Sequence, residues 1–113
     1  MSYFAVIREA GPGWADGLGA MEQPGVSDHA GFMNGLAEEG VVLFAGPLAG
    51  TEPGRFRALL IFDAETEAEI KRRLADDPWH CAERLQVTQI EPWTILVGAE
   101  RLQSAHTASG AAV

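Results

Sequence analysis

Three histidines, a single cysteine and an aspartate set before a proline are the side chains of this 113-residue sequence best suited to chemistry. His29 comes first, because an ordinary imidazole titrates near neutrality and can take or give a proton under physiological conditions. Such a base works best when a carboxylate accepts a hydrogen bond from one ring nitrogen, which fixes the tautomer and stabilises the imidazolium. Asp77 suits that role, since Pro78 stiffens the backbone after it and brings no amide hydrogen to compete for the carboxylate. As a pair, the two could draw a proton from a phenolic or carbon acid and return it elsewhere, as elimination or isomerisation requires. No serine or cysteine nucleophile is evident beside them, which favours acid–base work over acyl transfer. The same residues could equally form a structural polar contact tying a helix to a turn, and residue type alone leaves that alternative open.

The other candidates are weaker. His80 and Cys81 are neighbours in sequence, and neighbours seldom converge on one metal. A metal site needs three or four ligands; His29, Asp77 and His80 could supply three only by meeting in space, and we expect no metal. Cys81 is expected to be a small buried hydrophobe, and a lone cysteine forms no internal disulfide. His106 falls in a polar tail and should be solvated. Trp79 and Trp93 are expected in the core or an interface, whereas Trp14 could either anchor its loop or cap an aromatic ligand. No Gly-x-Gly-x-x-Gly follows the first strand and no Walker pattern occurs, so nothing cradles a phosphate and no cofactor is expected. Gly46 either shapes a strand exit or lets a ligand approach the backbone.

These residues need elements to position them. Residues 3–7 are apolar and rich in β-formers, suiting a central strand. Residues 9–25 are dense in glycine and proline and too long for a plain connection, so they read as a partly ordered loop folded over something. Ser27 or Asp28 can cap a helix carrying His29, Phe32, Met33, Leu36 and Ala37 on one stripe, with Gly40 as its left-handed stop. Residues 41–45 and 55–62 read as two strands joined through a turn over 51–54, hence an antiparallel hairpin. Thr66 or Asp63 opens a second helix, acidic at its start and basic at Lys71, Arg72 and Arg73, and Pro78 is expected to end it. A last strand is expected over 86–97, with Pro92 implying a bulge or a sheet edge. The order β-α-β-β-α-β belongs to the ferredoxin-like α+β fold, an antiparallel sheet with both helices on one face. The other face is apolar enough to need cover, which a second copy stacked sheet on sheet would provide.

Composition narrows the function classes. The formal net charge is −8, and the basic residues are scattered apart from 71–73, which argues against nucleic-acid binding. No apolar run approaches the roughly 20 residues of a membrane span. The start lacks the regions of a signal peptide, so the cytoplasm is the default expectation. One domain over 1–98 and a flexible extension over 99–113 account for the length.

His29, the helix stop at Gly40, Gly46-Pro47-Leu48, Asp77-Pro78-Trp79 and Ile90-Glu91-Pro92-Trp93 together resemble the YCII-related family, over about residues 3–97. The resemblance implies a dimeric α/β-barrel of ferredoxin-like protomers, with a His–Asp pair as active site on which His29 and Asp77 fall. Some relatives are dehydrochlorinases of chlorinated hydroxyquinol-type rings, and the extended 9–25 loop departs from the shorter family pattern. The expectation is therefore a small cofactor-independent lyase or isomerase, homodimeric, acting on a small aromatic molecule. Trp14, Phe32, Phe44, Gly46, Leu48 and Trp79 are its expected pocket walls. The competing expectation is a non-catalytic dimeric ligand-binding or interaction module, with its sheet face serving structure and the cleft holding a regulatory ligand.

Overall fold

Along β1 (Tyr3–Ala10) burial alternates with a period of two, so Phe4, Val6 and Arg8 face inward while Ala5, Ile7 and Glu9 face the other way. That alternation sets the layers. The computed structural model describes residues 2–49 and 56–102. After β1 come a 3-10 turn (Ala20–Glu22), α1 (Val26–Glu38), β2 (Val42–Pro47), β3 (Arg57–Asp63), α2 (Glu67–Leu74), α3 (Pro78–Cys81) and β4 (Leu85–Pro92). The strands form one four-stranded sheet in the order β2-β3-β1-β4, antiparallel at every pairing. This is the ferredoxin-like α+β arrangement expected from the order of elements, with the short α3 added. Phe4, Val6, Leu60 and Phe62 of the sheet meet Leu36 of α1 and Ile70 and Leu74 of α2 in the main core, so both helices cover one face.

Several boundaries differ from expectation for local reasons. Gly25, at φ 76°, precedes α1 as its cap and supplies no side chain, so neither Ser27 nor Asp28 plays that part. Gly40 does take the left-handed conformation, at φ 78°. Thr66 caps α2, its Oγ1 accepting from the Glu69 N–H at 3.1 Å, a contact worth about 1 kcal/mol. α2 stops at Leu74, four residues before the proline, and Pro78 opens α3 instead of closing α2. β4 ends at Pro92 and not at residue 97, and because the Trp93 N–H still donates to the Tyr3 carbonyl at 2.9 Å, Pro92 itself interrupts no bond of the ladder. It does lie at the sheet edge, and its bulge falls between the Ile7–Gln89 and Arg8–Val87 pairs. Residues 99–102 are helical and Leu102 is buried. The turn expected over 51–54, His106 and the rest of the C-terminal extension lie outside the described residues. Among the described residues, no helix is long and apolar enough to cross a membrane.

The loop between β1 and α1 is ordered by one side chain that sequence reading passed over. Gln23 is buried, and its Oε1 accepts from the Ala15 N–H at 2.8 Å while its Nε2 donates to the Ala15 and Leu18 carbonyls at 3.0 and 3.1 Å. The amide thus replaces the ladder that an irregular segment lacks. Upstream, the Gly11 and Gly13 N–H groups donate to Arg84 and Glu83, both at 2.9 Å. A Cβ on Gly13 would fall inside contact distance of the Ala82 carbonyl oxygen, so glycine is what lets these two backbones run together. Gln23→Met should cost about 1–3 kcal/mol, the usual range for stranding buried backbone groups. Urea titration will measure that loss, and limited proteolysis should show new cleavage over 14–22; an unchanged midpoint and digest would mean the loop is held otherwise.

Candidate active site

The site is built around Asp77. Because a proline follows, Asp77 is held extended (φ −66°, ψ 127°), and Pro78 then starts α3 at a position that needs no amide donor. Asp77 caps this short helix, its Oδ1 accepting from the Trp79 N–H at 2.9 Å. Its side chain is fully buried. An ionised carboxylate in such a place must be paired and hydrogen-bonded, and it is. From β1, Arg8 Nη1 donates to Oδ2 at 2.8 Å. From the first turn of α1, His29 Nδ1 stands 2.9 Å from both carboxylate oxygens.

This arrangement sets the state of the imidazole. A carboxylate only accepts, so Nδ1 carries the ring hydrogen that faces Asp77, and in the neutral ring Nε2 is left as the basic nitrogen. The ring is held from beneath as well as from the side. Trp79 stacks on His29 with centroids 3.9 Å apart and planes within 6°. The Trp79 indole N–H donates to the Pro24 carbonyl at 2.9 Å, which ties the stack to the entry of α1. Trp14 meets Trp79 edge-on at 5.8 Å and lies flat against Phe56 at 4.9 Å, forming with Leu85 a second small core behind the site.

Burial is the largest single influence on the Asp77 carboxyl and would raise its pKa. The hydrogen bonds from His29 and the Trp79 amide, with the charge and hydrogen bond of Arg8, together outweigh it and hold the pKa below the ordinary carboxylate value. For Arg8 burial dominates and lowers the pKa, while Asp77 opposes the shift. The guanidinium stays charged at neutral pH, because an arginine side chain loses its proton only in strong base.

One edge of His29 faces a cavity of about 390 Å³, within the range of small-molecule sites. Val26, Ala30, Met33 and Asn34 line it from α1, Ala45, Gly46 and Pro47 from β2, and Ala58 and Leu60 from β3. Met21, on the 3-10 turn, and Phe56 complete its apolar rim, while Arg8 and Trp79 sit beside His29. The lining is mainly apolar, so polar recognition falls to a few groups.

The structure thus brings His29, Asp77, Trp79 and Gly46 to one place. The other expected wall residues lie outside the lining. Trp14 is buried in the second core, where it anchors its loop. Phe32 packs against the main core. Leu48 donates its N–H to the Arg57 carbonyl at 2.9 Å, beyond the cavity's edge. Phe44 is 56% exposed on the opposite sheet face. A bulge between Val42 and Phe44 is the cause, because it moves Phe44 into register with Ile61 and so flips its side chain across the sheet. Gly46 has open space where a Cβ would sit, so crowding does not require glycine there. His80 lines a different groove, and Cys81 is exposed rather than buried, its Sγ donating to the Ala75 carbonyl from the outer side of α3. Among the described residues, no group of three metal-ligating side chains forms. Arg8 is the residue that sequence reading missed, although carrying the alternation of β1 one step past Val6 would have pointed it inward.

The profile of the YCII-related domain matches residues 3–94. The chain is similar in structure to a 5-chloro-2-hydroxyhydroquinone dehydrochlorinase, TftG, from Burkholderia phenoliruptrix, solved in complex with 2,5-dihydroxybenzoquinone. The two share 19% sequence identity at a TM-score of 0.51, over 87% of this chain and 97% of the other. No curated protein matches the sequence.

Proposed function

The chain belongs to the YCII-related family, and we propose that within it this member is a small enzyme using His29 and Asp77 for general acid–base catalysis. One observation carries the reading: His29 offers Nδ1 to both oxygens of a buried carboxylate while its ring lines an apolar cavity. His29 Nε2 takes a proton from a ring hydroxyl or an activated carbon, and Asp77 stabilises the imidazolium that forms. The freed electron pair moves into the substrate's conjugated system. From there the proton returns to a ring carbon, which is isomerisation; where that carbon bears a halide, a second ring hydroxyl then gives up its proton and the halide departs with its bonding pair, a net elimination of hydrogen halide that leaves a quinone. Only protons and a leaving group move, so this chemistry calls for no redox cofactor or metal. The cavity's size and apolar walls suit a single aromatic ring, and the structural likeness to a dehydrochlorinase of such a ring supports that choice. The test is a panel of hydroxylated and chlorinated hydroquinones, assayed for halide release and for tautomer exchange in deuterated water. Turnover lost in both His29→Gln and Asp77→Asn supports the dyad; full turnover in either folded variant overturns it.

The same reading includes a homodimer joined through the sheet face that bears Phe44. On that face Ile7 pairs with Leu59 and Phe44 with Ile61, an apolar strip turned away from the helices. Phe44→Glu should leave the fold intact and shift sedimentation from dimer to monomer. A wild-type chain that sediments as a monomer at assay concentration would refute the assembly.

A further inference from the structure

We propose that Arg8 provides the cavity with a seat for a pair of oxygens on the ligand, either a carboxylate or two vicinal ring oxygens, gripped by guanidinium Nε and Nη2. The inference rests on the preceding reading only for placing the ligand in this cavity. Arg8 is 1% exposed, yet it belongs to the cavity wall. Nη1 is committed to Asp77 at 2.8 Å and brushes Met33 Sδ at 3.9 Å. Nε and Nη2 are buried and have no hydrogen-bond partner among the described residues. Buried donors are paired in the great majority of cases, and an exception calls for a reason.

The unfilled donors are not a random remainder. Nε–H and one N–H of Nη2 lie parallel on the same edge of the guanidinium, the edge that grips two oxygens at once. Asp77 uses the third nitrogen, so the ion pair orients the fork without occupying it. Trp14 Nε1 and Arg84 Nε are likewise buried without a partner among the described residues, but both lie outside the cavity lining. Charge balance points the same way. With His29 neutral, Arg8 and Asp77 cancel; once His29 takes a proton, the cluster carries one net positive charge. A ligand that has just given up that proton carries the matching negative charge, and the fork holds the oxygens over which it spreads. Such a ligand is a flat apolar ring with two neighbouring oxygens pointing at β1.

Three probes test the seat by titration calorimetry on the full chain: benzoate, with a carboxylate; catechol, with vicinal oxygens; and phenol, with one. Benzoate or catechol should bind at least roughly tenfold tighter than phenol, and which of the two prevails identifies the oxygen pair. Arg8→Lys keeps a positive charge for Asp77 but has no fork, so the preferred probe should weaken by roughly 10- to 100-fold with phenol little changed. In the wild-type protein, the 15N-labelled Nε–H of Arg8 should shift on saturation with the preferred probe, a readout that stands even if the variant folds poorly. Equal affinity for all three probes, no binding of any, or an unmoved Nε–H resonance would each overturn the seat. His29→Gln separates this inference from the catalytic one, because it should abolish turnover while retaining the preference for paired oxygens. Turnover surviving that change would sink the dyad and leave the seat standing.

Discussion

Asp77→Asn should lower folding stability by about 3–5 kcal/mol, the range for breaking one partner out of a buried ion pair. Asparagine fills the same space, and its carbonyl can still cap α3. What it loses is the charge that balances Arg8, a guanidinium only 1% exposed. It also turns an amide donor toward the two side-chain donors that face Oδ2, His29 Nδ1 and Arg8 Nη1. For a domain of this size the melting temperature should fall on the order of 10–20 °C. Adding Arg8→Met removes the stranded cation, so the double variant should be more stable than the sum of the single losses predicts. Additive losses would mean that the pair is not coupled in the folded state.

The acid side of the stability curve follows from the same group. The folded pKa of Asp77 lies below its ordinary value, so in acid the folded chain binds fewer protons than the unfolded one. Its contribution is complete above the ordinary carboxylate value of about 4, and is lost as the pH falls from there through the lowered folded pKa. Asp77→Asn has no such group, and its stability should fall less steeply below that point. Denaturant titrations at stepped pH will measure the two slopes, and equal slopes would remove Asp77 from the account.

The second large effect belongs to His29. His29→Gln keeps an amide that can face the carboxylate but has no nitrogen able to accept a proton, so kcat/KM should fall roughly 10²–10⁴-fold on any substrate the wild type turns over. KM should change far less than kcat, because the apolar walls and Arg8 remain. A loss confined to KM would make His29 a binding group rather than a base.

How much of this could be read beforehand differs from residue to residue. The order of strands and helices was legible because apolar periodicity is a property of neighbours, and β1, α1 and α2 each carry it plainly. His29 and Asp77 stood out through residue type and the proline after Asp77, and a family resemblance joined them. Phe44 was misplaced because one extra residue in β2 flips its side chain, and the local pattern carries no mark of a bulge. Pro78 suggests the end of α2, yet α2 stops four residues earlier, and the extended geometry of the residue before the proline serves only the start of α3. Arg8 is hidden because the apolar run of β1 ends at Ile7, and arginine is mostly exposed in folded proteins, so its residue type gives no sign that it turns inward. Gln23 lies in a segment with no period, so only the folded loop reveals that its amide stands in for missing backbone bonds.

The bond between Arg8 and Asp77 spans 69 positions of sequence, and the one between His29 and Asp77 spans 48. During synthesis, therefore, β1 and α1 leave the ribosome well before their shared counterion. Until the Asp77 segment arrives, Arg8 has no anion to accompany it out of water, and the inward face of β1 cannot seal against the helices without stranding a charge. Closing loops of that length comes after local structure has formed. The oriented His29–Asp77 pair thus forms only when these distant segments have met, and a half-folded chain holds His29 without the carboxylate that fixes its ring.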